Sequence, residues 1–293
     1  MNYPILAQDP IPTRLKHLWG EVESGKLTKS DFAKQQESFV EAYKEIWADA
    51  LKLPGEKDLT HSLCLELSQL VGCEDLDLVE KRCREAMQAM KEEWDKKVRL
   101  DNEKSIEHYY DQSEEYAYEL MWWHTLEEDA SPLAYVCAVH LAHQHGCSRA
   151  MDFGAGPGTG SLLFARHGID VTLADISSTL LDFSRRRLKA RNIPATFIDL
   201  KVDAPAKDAY DFITAMDVFE HIAEPELTVE MLADCLRPGG ILFGRFSSED
   251  DPERPSHIAR DFQPMFDRLK ALGFTEIWRD EWLWGHQAFR KAQ

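Results

Sequence analysis

The most constraining stretch of this chain runs from residue 149 to residue 160. An apolar segment, Arg149-Ala150-Met151-Asp152-Phe153, passes directly into Gly154-Ala155-Gly156-Pro157-Gly158-Thr159-Gly160. Four glycines in seven positions let a backbone turn tightly and let a ligand come close with no Cβ in the way. An apolar, helix-compatible run, Ser161–His167, follows. The spacing predicts strand, glycine turn and helix, the unit from which parallel α/β sheets are built. No Gly-Lys-Ser/Thr follows the glycines, which excludes a nucleotide P-loop here. A dinucleotide G-x-G-x-x-G also fails, because its third glycine falls on Thr159 or on Ser161. What remains is Asp-x-Gly-x-Gly-x-Gly, from Asp152 to Gly158.

The residues after this loop keep the same rhythm. Asp170–Ala174, Ala195–Leu200, Asp211–Met216 and Gly240–Phe246 read as strands, with helical stretches between them. Phe274–Trp284 and His286–Arg290 read as two more, joined by a turn at Gly285 into an antiparallel hairpin at a sheet edge. The fold expected is α/β, a doubly wound, mostly parallel seven-stranded sheet, preceded by an all-α region over residues 1–104. In that region Phe32, Phe39, Tyr43, Ile46 and Ala50 recur at helical spacing behind a capping box at Thr28 and Asp31. Leu63, Leu67 and Leu70 mark a second helix stopped by Gly72. Leu76, Val79, Cys83, Met90, Trp94 and Val98 mark a long third one, whose stripe is read as core packing or a partner surface.

Composition narrows the partners. The formal charge of −18 lies mostly after residue 104, and such a field repels nucleic acid unless a basic groove is present. Arg185, Arg186, Arg187, Lys189 and Arg191 are the one basic cluster, read as a solvated helix face. No apolar run is long enough to span a bilayer, and Met1–Pro4 shows no basic segment leading into an apolar core. The expected compartment is therefore the cytoplasm, with no nucleic-acid or membrane partner. None of the six cysteines forms a C-x-x-C pair, so free thiols are expected. His140, His143 and His145 are read as a surface helix end rather than a metal site.

Further motifs follow the glycine loop in order. Asp175 stands 21 residues after Gly154 at the end of the second strand, followed by Ile176. Ile198-Asp199-Leu200 ends the third strand, Met216-Asp217-Val218-Phe219-Glu220-His221 the fourth. Leu236-Arg237-Pro238-Gly239-Gly240 precedes the fifth and Leu272-Gly273-Phe274 the sixth. In this series, residues 105–293 resemble the class I S-adenosylmethionine-dependent methyltransferases, and their ubiquinone-type small-molecule branch in particular. The resemblance implies S-adenosylmethionine as cofactor. It places the loop (Asp152, Gly154, Ala155, Gly156 and Gly158) around it, with Asp175 on the ribose hydroxyls and Ile176 against the adenine. Asp199 and Leu200, with Asp203 as a rival, fall at the adenine amino group, and Asp217 at the fourth strand end.

The acceptor side is less marked. His108-Tyr109-Tyr110-Asp111 resembles a helix that folds over the cofactor in small-molecule members. Tyr116, Leu120 and Trp123 share a helical face that serves either the site or core packing. His221 and His257 are candidate general bases, since a neutral imidazole is available near pH 7, and Tyr110 is a third candidate catalytic side chain. His221 has the alternative role of holding its own loop. Asp217, Glu220 and His221 resemble an acid–acid–His cation set of some relatives, but no metal is expected here. The expected activity is methylation of oxygen or nitrogen in a small, neutral or cationic metabolite. A protein or peptide methyltransferase and a non-catalytic interaction protein are the alternatives. The helical region is expected to cover the pocket, form a homodimer, or both.

Overall fold

A computed structural model describes residues 3–247, 254–259 and 261–293 of the chain; Met1 and Asn2 of the opening segment lie outside them. Eleven α-helices and seven strands are present among these residues. Six helices come first: α1 (Ile11–Glu23), α2 (Lys29–Leu51), α3 (Leu59–Val71), α4 (Leu76–Lys97), α5 (Glu103–Gln112) and α6 (Glu114–Trp123). Then α7 (Ala134–Gln144), β1 (Arg149–Phe153), α8 (Thr159–Arg166), β2 (Asp170–Asp175), α9 (Ser178–Ala190) and β3 (Thr196–Asp199) follow. The chain closes with β4 (Tyr210–Ala215), α10 (Pro225–Cys235), β5 (Leu236–Gly244), α11 (Gln263–Ala271), β6 (Thr275–Arg279) and β7 (Gln287–Arg290).

The strands form one sheet in the order β3-β2-β1-β4-β5-β7-β6. Strands β3, β2, β1, β4 and β5 pair in parallel, and β7 runs antiparallel to both neighbours. The order reverses between β1 and β4, so a crevice opens beyond their carboxyl ends, where ligands bind in such sheets. Alternate residues feed two cores. Ala150, Phe212, Ile241 and Phe243 face α2, α7 and α8 on one side. Met151, Ile213, Ala215 and Leu242 face α10 and α11 on the other.

The helical segment is continuous with this framework. Ile11, Leu15, Tyr43, Ile46 and Trp47 belong to the same buried cluster as Phe212 and Phe243. Helices α3, α4 and α6 pack on one another and on Leu180 and Phe183 of α9. The capping signals form as expected: Thr28 accepts the Asp31 N–H, and Gly72 takes a left-handed conformation at the end of α3.

Four expectations change; the fifth strand begins at Leu236, within the segment read as the turn before it, with a bulge where it pairs with Tyr210 and Phe212. The sixth strand stops at Arg279 instead of reaching Trp284, because the Asp280 carboxylate accepts the N–H groups of Trp282, Leu283 and Trp284 and folds them into a turn. His140 is buried, not part of a surface helix end. Its Nε2–H donates to the Gln8 carbonyl, so Nδ1 accepts from the Tyr43 hydroxyl at 3.0 Å; His143 and His145 are exposed. The basic cluster is split, with Arg185, Arg186 and Lys189 in solvent and Arg187 and Arg191 buried against Glu66 of α3. All six cysteines are free thiols.

Gly160 packs against the buried ring of Tyr135, and an added Cβ would sit only 2.1 Å from a ring carbon. Gly160→Ala is expected to lower stability by about 1–3 kcal/mol through overpacking. A denaturant titration checks this, and an unchanged midpoint would show that the ring moves freely.

Candidate active site

The crevice above β1 and β4 is a cavity of about 1080 Å³. Its floor is the glycine loop. Gly154 has φ +70°, and a Cβ there would sit 2.5 Å from a Val218 methyl carbon. Gly156 has φ +52° and lines the cavity. The loop is tied to β2 from two directions. The N–H groups of Gly154 and Ala155 donate to the Ala174 carbonyl, and the Gly156 N–H donates to Asp175 Oδ2 at 2.7 Å. The other Asp175 oxygen accepts the Ser177 N–H at 2.8 Å. Each carboxylate oxygen keeps a further lone pair, so this buried, cavity-lining acid can still accept from a vicinal diol. Burial pushes its carboxyl above the ordinary range, while the backbone donors pull it back.

Asp152 lies beneath this floor and does not line the cavity. Its carboxylate accepts from Thr214 at 2.8 Å, Ser161 at 3.0 Å and Tyr135 at 3.3 Å, and burial pushes it up to about 6. Gly158 also stays below; a Cβ there would meet Ser184. Ala155, Ile176 and Leu200 line the cavity. Asp199 does not: it accepts the Lys201 N–H and faces the Lys201 ammonium, while Asp203, four residues on, lines the cavity.

Asp217 has φ +48°, a strained turn for a non-glycine residue. One oxygen accepts from Arg245 at 3.2 Å; the other is buried with no hydrogen-bond partner among the described residues. Glu220 follows in a short 3-10 turn, and its carbonyl accepts the N–H groups of Ile258 and Ala259. That contact holds segment 254–259 against the cavity, which residues 254–258 line. His221 Nδ1 lies 3.0 Å from the Ser256 carbonyl and 3.0 Å from the Tyr110 hydroxyl. A carbonyl only accepts, so the Nδ1 proton is fixed there and Nε2 presents a lone pair. Burial pulls the His221 imidazole below its usual value.

Tyr110 is aimed by its neighbour. Asp111 accepts from the Ser178 N–H and hydroxyl and from Lys201, which pulls its carboxyl down to about 2 and pins α5 to the start of α9. His257 is buried with its ring centroid 5.0 Å from that of His221. Glu220, His221 and His257 bring three ligand atoms within 4.8 Å of one another, a set that can hold a divalent cation. The set reached from sequence contained Asp217 in place of His257, which comes from the far side of β5.

Other cavity residues were read from the sequence only as core or as one of two alternatives. Met90 and Trp94 of α4, read as core or partner surface, form one wall. Tyr116, Leu120 and Trp123 of α6 form another, together with Glu119. Burial pushes the Glu119 carboxyl up to about 7, against a smaller downward pull from Arg254. The i, i+3, i+7 spacing of Tyr116, Glu119 and Trp123 was the only clue to its direction.

Residues 151–242 match the model of a methyltransferase domain. The chain is 31% identical over 131 residues to the ubiquinone biosynthesis O-methyltransferase of Photorhabdus laumondii, covering 42% of this chain and 54% of that protein. It is 32% identical over 95 residues to the enzyme of the same description from Coxiella burnetii, covering 32% and 41%. The chain thus spans about half the length of the curated relatives it matches. A solved magnesium protoporphyrin IX methyltransferase from Synechocystis PCC 6803, with bound S-adenosylmethionine, is 17% identical with a TM-score of 0.43 over 54% of this chain and 78% of that one. Residues 151–242 of the chain thus form a methyltransferase domain. S-adenosylmethionine is the cofactor of that domain, and the diol-ready Asp175 and the open glycine floor suit it. No described helix is long and apolar enough to cross a membrane.

The Glu119 carboxyl, at about 7, lies above its ordinary 4.5, so the folded chain holds this proton more tightly than the unfolded one. Stability from this group is full below the ordinary value and is lost as pH rises through about 7. Glu119→Gln is expected to be more stable than wild type near pH 8, with the gap closing as pH falls towards 5. Thermal midpoints across that range check it; a gap independent of pH would refute it.

Proposed function

We propose that this chain transfers the methyl group of S-adenosylmethionine to oxygen or nitrogen of a small, neutral or cationic metabolite. The observation that carries the reading is His221: its tautomer is fixed by the Ser256 carbonyl, and it shares one cavity with Asp175 and the glycine loop. The bound sulfonium supplies an electrophilic methyl group and a good leaving group. Displacement at that carbon needs alignment, exclusion of water and a route for the acceptor proton.

In this reading Gly154, Ala155 and Gly156 let the cofactor approach the backbone, Asp175 accepts from its ribose hydroxyls, and Ile176 and Leu200 flank its adenine. Asp203 takes the adenine amino group, since Asp199 is engaged by Lys201. Asp152 and Gly158 act from beneath by holding the loop. Asp217, with Arg245, sets the floor at the end of β4. His221 takes the acceptor proton at Nε2, Tyr110 holds the ring, and His257 lines the acceptor space. The aromatic walls on α4 and α6 and the Glu119 carboxyl support a neutral or cationic acceptor. Residues 1–104 serve in part as the cover of the pocket, a role supported by Met90 and Trp94 in its wall.

Asp175→Asn is expected to weaken S-adenosylhomocysteine binding about tenfold or more by calorimetry, because an amide accepts only at one atom. His221→Asn is expected to lower kcat about 10²–10⁴-fold with cofactor affinity unchanged. The wild-type rate should rise with pH through an apparent value below the ordinary histidine value, in the direction burial imposes. A chelator should leave the rate intact; loss on chelation would assign Glu220, His221 and His257 to a required cation. Labelled methyl groups in a cell extract should reach the small-molecule fraction. Label in protein would overturn the acceptor class, and no S-adenosylhomocysteine binding would overturn the reading.

A further inference from the structure

We infer that Glu66, on α3 of the helical segment, is a positioning residue for the glycine loop and sets the affinity for the methyl donor. The inference rests on the reading of that loop as the cofactor floor. Glu66 is buried, and its oxygens face Arg187 of α9 and Arg191, which caps that helix. Oε1 lies 2.5 Å from Arg191 Nη1, and Oε2 lies 3.2 Å from both Nε and Nη2 of Arg187.

Arg187 faces both ways. With Nε and Nη2 against Glu66, its Nη1 donates to the Pro157 carbonyl at 2.7 Å and to the Thr159 hydroxyl at 2.8 Å. Pro157 is part of the loop, and Thr159 opens α8, so one guanidinium grips the loop where it becomes helix. The grip has a defined polarity. Arginine only donates, so the Thr159 oxygen is an acceptor and its proton goes to His124 Nδ1, 3.1 Å away. Burial and Arg187 depress the His124 imidazole to about 3, which keeps it a neutral acceptor. The His124 carbonyl in turn accepts from Trp47 of α2.

Glu66 therefore holds the loop without touching the cavity. It fixes Arg187, and Arg187 fixes the backbone carbonyl between Gly156 and Gly158. The guanidinium fork needs an acceptor on its far side to keep this orientation in a buried site. Arg191 supplies a built-in control. It shares Glu66 and donates to the carbonyls of Leu51 and Arg187, but among the described residues it makes no hydrogen bond to the loop.

Binding coupled to Glu66 must be reciprocal: if Glu66 tightens cofactor binding, bound cofactor must stabilise the Glu66 clamp. Calorimetry with S-adenosylhomocysteine is the test. Glu66→Gln and Arg187→Lys are expected to weaken binding at least tenfold at temperatures where circular dichroism matches wild type. Arg191→Lys should lower the thermal midpoint yet leave the Kd within about twofold. The variants should raise KM for the donor without a matching fall in kcat, a split that general loss of fold does not produce. In the wild-type chain, S-adenosylhomocysteine should slow amide exchange across Leu59–Val71 of α3. This last measurement stands even where Glu66→Gln and Arg187→Lys fail to fold. A folded Glu66→Gln with unchanged Kd, or no protection in α3 on binding, would overturn the inference. Failure of the wild type to bind would instead overturn the reading of the loop.

Discussion

The buried Asp152 carboxylate is the contact on which the remainder of the site depends. It sits at the end of β1 and collects hydroxyl donors from β4, α7 and α8, through Thr214, Tyr135 and Ser161. Those donors offset the cost of placing a carboxylate in the core, and each brings a different element to the point where the sheet order reverses. With strand, loop and helix fixed from below, the glycines above can leave their backbone bare towards the cavity. A carboxylate with three neutral donors is costly to rearrange, since any donor that leaves exposes a buried acceptor. The floor is rigid for that reason.

The remaining walls come from the helical segment and are held by charge. Glu66 meets Arg187 of α9 and Arg191, which caps it, and Asp111 meets the start of the same helix. Helix α9 is thus a seam, with the sheet on one side and α3, α4, α5 and α6 on the other. Three of these helices, α4, α5 and α6, precede the sheet in sequence and line its crevice in space.

The sheet was legible because glycine, strand and helix patterns repeat locally in residues 149–246. Asp175, Ile176 and Leu200 were legible because each stands at a strand end, where topology decides what the residue meets. Asp199 and Asp203 were rivals in the sequence, and a turn after β3, in which the Val202 and Asp203 N–H groups donate to the Asp199 carbonyl, brings Asp203 to the cavity. The helical segment showed its stripes and not their partners: an amphipathic face at Trp94 looks the same whether it meets a core or a cavity. Arg187 and Arg191 read as solvated because their counter-charge, Glu66, lies more than a hundred residues away. Glu119 belongs to the same class, a residue whose role comes from folding alone; His257 was legible as a candidate base, but its place beside Glu220 and His221 was not.

The hairpin of β6 and β7 has a consequence for synthesis. Strand β7 sits between β5 and β6, so β6 has no sheet partner until residues 287–290 are made. Helix α1 docks on that same hairpin: Thr13 accepts from Trp278, Lys16 pairs with Glu281, and Trp19 packs on Trp282. Helix α1, which precedes the whole sheet in sequence, therefore completes its docking only when β7 has emerged. Long-range closure of this kind is slow and leaves apolar faces open meanwhile. Trp19, Phe32 and Trp282 must share those exposed moments, and a nascent chain stalled short of residue 287 would offer α1 as bait to chaperones.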